Sequence, residues 1–162
     1  MTKTDDKKNQ KLKKLIEMQA FGRDGIYEFI PQRPPFLMVD EVLDLNIENK
    51  KVVCRKKIMP DEWYLTGHFP NNPVMPGVLM VEGMAQAASI IGRALSVEED
   101  GILLFASIDE CHFSGMATVN DILTIEAVVT KMRGPLVVGD CCVKKDDQII
   151  ADCKLKAFRK IL

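Results

Sequence analysis

The sequence has little that would serve a nucleic-acid-binding or metal-binding protein. Its 22 Lys and Arg residues are balanced by 23 Asp and Glu residues, so a formal net charge of −1 leaves no basic excess for a phosphate backbone. Only two histidines are present, and the five cysteines are odd in number and lack metal-ligand spacing. We therefore predict no metal site, and we expect the cysteines to be reduced thiols in a cytoplasmic protein.

Long apolar runs and secretion signals are also missing. The most apolar stretch, residues 78–91, contains Glu82 and is followed closely by Arg93, so it predicts no membrane span. The first fourteen residues are polar and charged, with six lysines, and they predict no signal peptide. A length of 162 residues is most simply one domain with a substantial core.

The order of predicted elements favours an α+β fold in which an antiparallel sheet wraps around one long helix. Residues 1–22 are predicted as a charged N-terminal extension, a tail or short helix with an amphipathic pattern over 11–21, and residues 23–162 as a single domain. A helical turn is predicted at 26–30, and the apolar run from Val78 predicts a helix of about 18 residues. Alternating or β-rich residues predict strands at 36–44, 51–58, 103–113, 122–132, 136–144 and 148–158.

Residues 67–86 combine one of the two histidines with an irregular turn. Three prolines after His68 fix φ and remove backbone donors, so the turn belongs neither to a central strand nor to a regular helix. The helix that starts after Pro76 and Gly77 presents free backbone N–H groups, which favour a negatively polarised oxygen. The segment therefore offers a candidate base beside a candidate oxyanion site.

The same segment contains a carboxylate in an apolar setting. Glu82 is the only charged residue in the helix before Arg93, and a buried carboxylate is costly unless it is paired, protonated or in use. Gln86 lies one helical turn later on the same face, where it is placed to hold Glu82 by a hydrogen bond. A base, an acid and an oxyanion site together suit proton abstraction next to a carbonyl, followed by loss of a hydroxyl.

Residues 68–86 read His-Phe-Pro-Asn-Asn-Pro-Val-Met-Pro-Gly-Val-Leu, then Glu and Ala-Gln. This pattern resembles the signature of the beta-hydroxyacyl-acyl carrier protein dehydratases, a hotdog-fold family. Residues 30–40 resemble the opening segment of the same family, and the resemblance covers roughly residues 25–158. Three departures are visible: Gln32 stands where the family usually has histidine, the family's Pro-Gly before Asp121 is absent, and residues 134–139 are less typical of the family.

The resemblance implies a catalytic dyad of His68 as base and Glu82 as acid, with the thioester carbonyl of the substrate held by the Gly77 amide. Glu82 favours the plain dehydratases over the isomerising sister enzymes, which carry Asp there. The implied reaction converts (3R)-3-hydroxyacyl-acyl carrier protein to trans-2-enoyl-acyl carrier protein in fatty acid biosynthesis. It needs no cofactor, because elimination of water passes no electrons to an acceptor. The other predicted substrate-binding residues are Phe69, Met75, Pro76, Val78 and Gln86.

The resemblance also implies an assembly and a protein partner. His68 and Glu82 are expected to meet across a homodimer interface, with dimers assembling further to a hexamer as a trimer of dimers. The substrate arrives on an acidic acyl carrier protein by a phosphopantetheine arm, so a basic docking surface is expected. Its candidates are Arg93, Lys131, Arg133, Lys156, Arg159 and Lys160.

Two other functions remain open from the sequence. A hotdog thioesterase would use the carboxylate to activate water on the same thioester, and a non-catalytic paralogue would bind acyl thioesters without turnover. The lipid pathway is open too, whether membrane fatty acids, lipid A acyl chains or a specialised lipid. His112 is predicted to have a packing or surface role. Methionines are expected to fill the core, with a tunnel-lining role as the alternative for Met75, Met80 and Met84.

Overall fold

A computed structural model describes residues 3–99 and 101–161 of the chain. The helices are α1 (Lys3–Met18), α2 (Arg23–Phe29) and α3 (Gly77–Ala94). The strands are β1 (Phe21–Gly22), β2 (Glu41–Asn46), β3 (Lys51–Lys57), β4 (Ile102–Phe113), β5 (Ile122–Arg133), β6 (Leu136–Lys145) and β7 (Gln148–Lys160).

The seven strands of the described residues form one antiparallel sheet in the order β1-β2-β3-β5-β6-β7-β4. Three successive strands, β5, β6 and β7, pair as neighbours, whereas β4 crosses from the end of α3 to the far edge beside β7. Helix α3 packs against β3, β4, β5, β6 and β7. The α+β architecture of one sheet around one long helix is confirmed.

Helix α3 is buried on nearly every side, as its apolar sequence predicts. Small residues allow it to lie close to the sheet. A Cβ added at Gly83 would come within 2.9 Å of the Ile125 side chain on β5, so only glycine fits this contact without a shift. The helix therefore lies with Gly83 directly against β5.

Two boundaries differ from the sequence predictions. The N-terminal helix covers Lys3–Met18 rather than 11–21, and Leu12 is fully buried against the rest of the protein. The strand predicted over 36–44 begins only at Glu41. The reason is that the backbone of Phe36 and Met38 bonds to the Gln86 side chain instead of to a neighbouring strand.

Strand β4 forms an edge of the sheet, with β7 as its one neighbour among the described strands. Its register shifts between Phe105 and Ser107 and again between Asp109 and His112. Each bulge inserts residues that change which side chains face α3. Exposed apolar side chains therefore line this edge, namely Leu104, Phe105, Ile108 and Phe113.

Candidate active site

His68 is held in its turn by backbone hydrogen bonds on both sides. Its N–H donates to the Tyr64 carbonyl at 3.0 Å, and its carbonyl accepts from the Val74 N–H at 2.8 Å. The ring stacks on Phe69, with centroids 4.1 Å apart. Residues 70–73, which include Pro70 and Pro73, therefore form a closed loop that presents the half-buried imidazole.

The hydrogen bond of the imidazole fixes its tautomer. Nδ1 of His68 lies 3.0 Å from the Val74 carbonyl oxygen. A carbonyl only accepts, so Nδ1 carries the proton in the neutral ring and Nε2 is left as the proton acceptor. The loop thus presents a proton acceptor, Nε2 of His68, in a defined orientation.

Glu82 projects from the second turn of α3 and is half-buried. Burial raises the pKa of this carboxyl above its ordinary value of 4.5, while the hydrogen bond from Gln86 acts in the opposite direction. The net shift favours the protonated carboxylic acid, which is the form that donates a proton.

Gln86 holds Glu82 in place and is itself fully buried. Its Oε1 accepts from the Met38 N–H at 2.8 Å, and its Nε2 donates to the Phe36 carbonyl and to Glu82 Oε1, each at 2.8 Å. Because Met38 offers only a donor and Phe36 only an acceptor, the amide has one orientation that satisfies both. Gln86 therefore fixes the position of the Glu82 carboxyl.

Glu82 opens onto an apolar cleft of about 380 Å³ between α3 and β4. Among the described residues the cleft is lined by Val78, Val81, Glu82, Ala85, Phe105, Ile108, Cys111, Phe113 and Leu155. Glu82 is the only acidic side chain in this lining, and His68 does not belong to it. A long apolar group would fit here with its polar end beside the carboxyl.

The N-terminus of α3 lies at the mouth of this cleft. Gly77 and Val78 begin the helix after Pro76, so their amide N–H groups precede the intrahelical hydrogen bonds. A Cβ at Gly77 would come within 2.9 Å of the Phe113 ring, which lines the cleft. A glycine is therefore needed for Phe113 to pack against the start of the helix.

A family model described as a FabA-like domain matches residues 30–154, which include the His68 loop and Glu82. The chain belongs to the FabA-like family. The resemblance of residues 30–40 and 68–86 to the dehydratases of this family is confirmed.

Curated relatives of the FabA-like family cover most of the chain. The 3-hydroxyacyl-acyl-carrier-protein dehydratase FabZ of Staphylococcus carnosus (strain TM300) is 38% identical over 136 residues, which span 84% of this chain and 93% of the relative. FabZ of Staphylococcus epidermidis (strain ATCC 12228) is 36% identical over 135 residues, spanning 83% and 92%.

Solved structures share the fold of the FabA-like chain at much lower identity. The dehydratase heterocomplex ApeI:P from Xenorhabdus doucetiae has a TM-score of 0.72 at 15% identity, covering 84% of this chain and 91% of the other. A hypothetical thioesterase with coenzyme A from Streptococcus pneumoniae has a TM-score of 0.59 at 12% identity, covering 74% and 84%. These likenesses support the hotdog fold, and the fold prediction is confirmed.

The structure places the predicted substrate-binding residues of this FabA-like chain differently. Val78 lines the cleft and is 71% exposed, whereas Met75 and Gln86 are buried behind it. Phe69 is 54% exposed and covers the His68 ring, and Pro76 caps α3. Met75, Met80 and Met84 are all core residues, and none lines the cleft.

The contribution of β4 to the cleft was not predicted from the sequence. Phe105, Ile108, Cys111 and Phe113 supply most of the wall opposite α3. Their strand was predicted, but its position beside β7 and its two bulges depend on tertiary packing. The one signal in the sequence was that β4 contains many apolar residues that do not simply alternate with polar ones.

The three departures from the family pattern lie outside the lining of the described cleft. Gln32 lines a different cavity with Arg93 and Arg159, at the C-terminal end of α3. At the missing Pro-Gly, Asn120 adopts a φ of 70°, a left-handed conformation that asparagine tolerates. Asp121 closes this turn by accepting from the Thr118 N–H at 2.7 Å.

Two of the predicted carrier-docking residues are not available at the surface. Arg93 is buried, and its guanidinium donates to the carbonyls of Ser96, Val97 and Glu99. Arg159 is bound to Ser96 and Glu99, with its side chain 9% exposed. The prediction was wrong for both, because Arg93 caps carbonyls after the end of α3 and Arg159, on β7, pairs with the side chains of Ser96 and Glu99. Lys156 is partly exposed and pairs with Asp109 at 2.7 Å. The exposed candidates that remain are Lys131, Arg133 and Lys160.

Three further findings concern His112, metal-binding groups and membrane-spanning helices. The His112 side chain is 68% exposed and contacts Asp152 at 3.2 Å, which confirms its surface role. Within residues 3–99 and 101–161, no group of three or more His, Cys, Asp and Glu side chains is placed to hold a metal ion. In the same described part of the chain, no helix is long and apolar enough to cross a membrane.

The raised pKa of Glu82 has a measurable consequence for stability. Between about pH 4.5 and the higher folded-state pKa, the folded protein keeps a proton that the unfolded chain has released, so the free energy of unfolding falls as pH rises. We expect Glu82→Gln, which removes this titration, to gain stability relative to the parent as pH rises from about 4 to about 7. Urea unfolding at a series of pH values measures it, with exposed Glu48→Gln as the control. A stability difference independent of pH would contradict the assignment of a buried acid.

Removing the Gln86 amide should weaken both the fold and the site. Gln86→Leu leaves the buried Met38 N–H without its acceptor, which costs about 1–3 kcal/mol of unfolding free energy. It also frees the Glu82 carboxyl to rotate, so turnover should fall further than stability alone explains. Chemical unfolding and initial rates test this, with exposed Gln148→Leu expected within about 0.5 kcal/mol of the parent. Equal behaviour of the two variants would rule out the positioning role.

Proposed function

We propose that this protein dehydrates 3-hydroxyacyl thioesters of acyl carrier protein, with His68 as the base and Glu82 as the acid. The curated relatives are named for this reaction. The roles of the two residues are assigned from their protonation states, because one can accept a proton and the other can donate one. His68 has Nε2 free to accept a proton, and burial favours the protonated form of Glu82.

In the proposed reaction, Nε2 of neutral His68 takes the C2 proton of the substrate, which the thioester carbonyl makes acidic. The electron pair moves towards the carbonyl oxygen and then forms the C2–C3 double bond. Glu82 gives its proton to the departing 3-hydroxyl, so water leaves. The imidazolium proton later returns to the Glu82 carboxylate through solvent, which restores both groups.

The start of α3 is suited to the charge that develops on the carbonyl oxygen. The Gly77 N–H lies at the positive end of an 18-residue helix and near the mouth of the cleft. An N–H donor of this kind stabilises an enolate-like oxygen more than the ground-state carbonyl. The acyl chain then lies along the apolar wall formed by Val81, Ala85 and Ile108.

A shared site between two subunits is part of the proposal. The edge of β4 carries unpaired backbone groups and exposed apolar side chains, a surface that favours pairing with another strand. A twofold-symmetric dimer would join β4 to the same strand of a second copy and cover the cleft above Glu82. His68, absent from the lining of its own subunit's cleft, would then reach the cleft of the partner. Assembly of such dimers into a hexamer extends the same proposal.

The proposed setting is the cytoplasm, with acyl carrier protein as the substrate-bearing partner. All five cysteines are free thiols, and Cys54, Cys141 and Cys153 are buried. Unpaired thiols suit a reducing compartment. The exposed Lys131, Arg133 and Lys160 offer positive charge to an acidic carrier.

The decisive experiment incubates the purified protein with 3-hydroxyacyl-acyl carrier protein and follows the absorbance of the enoyl thioester. Mass spectrometry of the carrier identifies the product. Loss of water with the acyl group still attached supports dehydration. Release of free acid and carrier thiol would instead identify a thioesterase, and binding without either product would identify a non-catalytic acyl-binding protein.

A further inference from the structure

The loop of His68 is tied to the connection between β4 and β5 through two peptide groups. The first of them joins Val74 to Met75. Its carbonyl oxygen lies 3.0 Å from Nδ1 of His68, and its N–H donates to the Ala117 carbonyl at 2.8 Å. Val74 also forms an isolated antiparallel bridge with Thr118. Because a peptide group is planar, the bond at one end fixes the direction of the bond at the other.

The second peptide group joins Ala117 to Thr118 and repeats this arrangement. Its carbonyl accepts from the Met75 N–H, and its own N–H donates to Oδ2 of Asp121 at 2.7 Å. Three hydrogen bonds in series, at 2.7, 2.8 and 3.0 Å, therefore connect the Asp121 carboxylate to the imidazole of His68. We call this series the peptide relay.

The three donors of the peptide relay all point towards Asp121. Nδ1–H of His68 donates to one peptide group, the N–H of that group donates to the next, and the last N–H donates to a carboxylate. The bond dipoles are aligned, and hydrogen bonds in such a chain polarise one another. A negative charge at the end of the chain therefore makes the Val74 carbonyl a stronger acceptor, which stabilises positive charge on the imidazole.

Asp121 is held as a carboxylate in a fixed position. Its Oδ2 accepts from Thr118 Oγ1 at 3.1 Å and from Lys145 Nζ at 3.0 Å, in addition to the Thr118 N–H. Burial raises the pKa of Asp121, but these hydrogen bonds outweigh burial and hold the pKa below its ordinary value of 3.8. The carboxylate is therefore charged at neutral pH.

The turn that carries Asp121 is itself fastened to the sheet. The N–H of Ile58, directly after β3, donates to the Asp121 carbonyl at 2.9 Å, and the Asn120 N–H donates to the Ile58 carbonyl at 2.8 Å. Lys145, at the end of β6, also donates to the Met116 carbonyl at 3.2 Å. Contacts to two strands thus keep the carboxylate end of the peptide relay in place.

We propose that Asp121 is a positioning residue for the dehydration and acts on His68 through the peptide relay. The inference rests on the proposed function, in which His68 takes the C2 proton of the substrate. As the imidazole becomes positively charged in that step, its Nδ1–H keeps an aligned acceptor, and the carboxylate at the far end stabilises the charge without touching the substrate. The relay thus keeps Nε2 free before the step and stabilises the imidazolium after it.

Removing the carboxylate should lower turnover more than substrate binding. Asp121→Ala should lower kcat about 10-fold and leave KM within about twofold, because the base is present but no longer oriented. Asp121→Asn keeps an acceptor for the Thr118 N–H but has no charge, so kcat should fall by about threefold. Steady-state rates with 3-hydroxyacyl-acyl carrier protein measure both. A folded Asp121→Ala protein with the kcat of the parent would overturn the proposal.

The matched control is Glu126→Ala. Glu126 lies on β5, and like Asp121 it pairs with lysines, in this case Lys51 and Lys144, each at 2.7 Å. Its carboxylate is no part of the peptide relay, so its loss should cost stability and leave kcat within about twofold of the parent. Equal losses of kcat in Glu126→Ala and Asp121→Ala would show a general effect of stability, which overturns the proposal.

NMR of the free protein tests the relay without any substrate. In 15N-labelled, deuterated protein the ring nitrogens report the tautomer of each of the two histidines, and His112→Ala shows which signal belongs to His68. The parent should have Nε2 unprotonated at a pH where the ring is neutral. In Asp121→Ala part of the population should adopt the other tautomer, whereas Glu126→Ala should match the parent. The parent tautomer in Asp121→Ala would overturn the proposal even if kcat falls.

Asp121→Asn decides the question should Asp121→Ala fail to fold. The loss of charge should weaken all three hydrogen bonds of the relay together, so the amide protons of Thr118 and Met75 and the Nδ1 of His68 should all shift. A shift confined to Thr118 would show that Asp121 has only a local role in its turn, which overturns the proposal.

The spectra of the free protein separate this inference from the proposed function. A tautomer that changes in Asp121→Ala, in a protein that forms no enoyl product, would remove the dehydration and keep the action of Asp121 on His68. Enoyl product from the parent, with an unchanged tautomer in Asp121→Ala, would keep the dehydration and remove the relay.

Discussion

His68→Ala and Glu82→Gln should each lower turnover by at least about 100-fold, the scale expected for loss of a general base or acid. His68→Ala removes the only imidazole whose Nδ1 is fixed by a carbonyl, and with it the free Nε2. Glu82→Gln keeps the shape of the side chain but has no proton to give to the leaving hydroxyl. Steady-state rates with a 3-hydroxyacyl-acyl carrier protein measure both.

The chain supplies a matched control for each substitution. His112→Ala removes the other histidine, which is exposed and whose Nδ1 lies 3.2 Å from Asp152. Glu48→Gln neutralises an exposed carboxylate in the turn between β2 and β3. Both controls should keep parent activity. A correctly folded His68→Ala or Glu82→Gln protein with near-parent turnover would refute the proposed dyad.

Much of the site could be predicted from the sequence, because it depends on local chemistry. The three prolines and two glycines of residues 67–77 determine a turn followed by a helix start, whatever the rest of the protein does. Gln86 lies one turn after Glu82, and helical geometry alone predicts their hydrogen bond, which is present at 2.8 Å. These features need no knowledge of which strands are neighbours.

The wall of the cleft could not be predicted from the sequence, because it depends on contacts between distant parts of the chain. Strand β4 follows α3 in sequence but pairs with β7, some fifty residues later. Its bulges place Ile108 rather than Ser107 in the cleft lining, against a simple alternation from Phe105. The backbone partners of Gln86 could not be predicted either. Phe36 and Met38 lie in a predicted strand, but their backbone groups bond to the Gln86 side chain instead.

Burial also reversed expectations about charge. From the sequence alone, Arg93 is expected to be an exposed cation. In the structure its guanidinium binds three backbone carbonyls after the end of α3. For Glu82, in contrast, the apolar neighbours favour the protonated carboxyl rather than a carboxylate paired with a cation. In both cases the deciding quantity is the access of water to the group, which tertiary structure sets.

Mixing His68→Ala protein with Glu82→Gln protein should restore activity that neither has alone. If each site takes its histidine from one subunit and its glutamate from the other, every mixed dimer contains one site with both residues intact. Random exchange between equal amounts gives half mixed dimers, so activity should recover to about a quarter of the parent value. This rise, from about a hundredth or less, is large enough to follow as subunits exchange over time.

The control mixture replaces Glu82→Gln with the double variant His68→Ala/Glu82→Gln. Its mixed dimers contain no subunit with His68, so no site is complete and activity should stay at background. Native mass spectrometry with one tagged subunit reports how many mixed dimers have formed in each mixture. Full exchange without recovery would place His68 and Glu82 of one site in the same subunit. The cleft around Glu82, which His68 of its own subunit does not line, makes recovery the expected result.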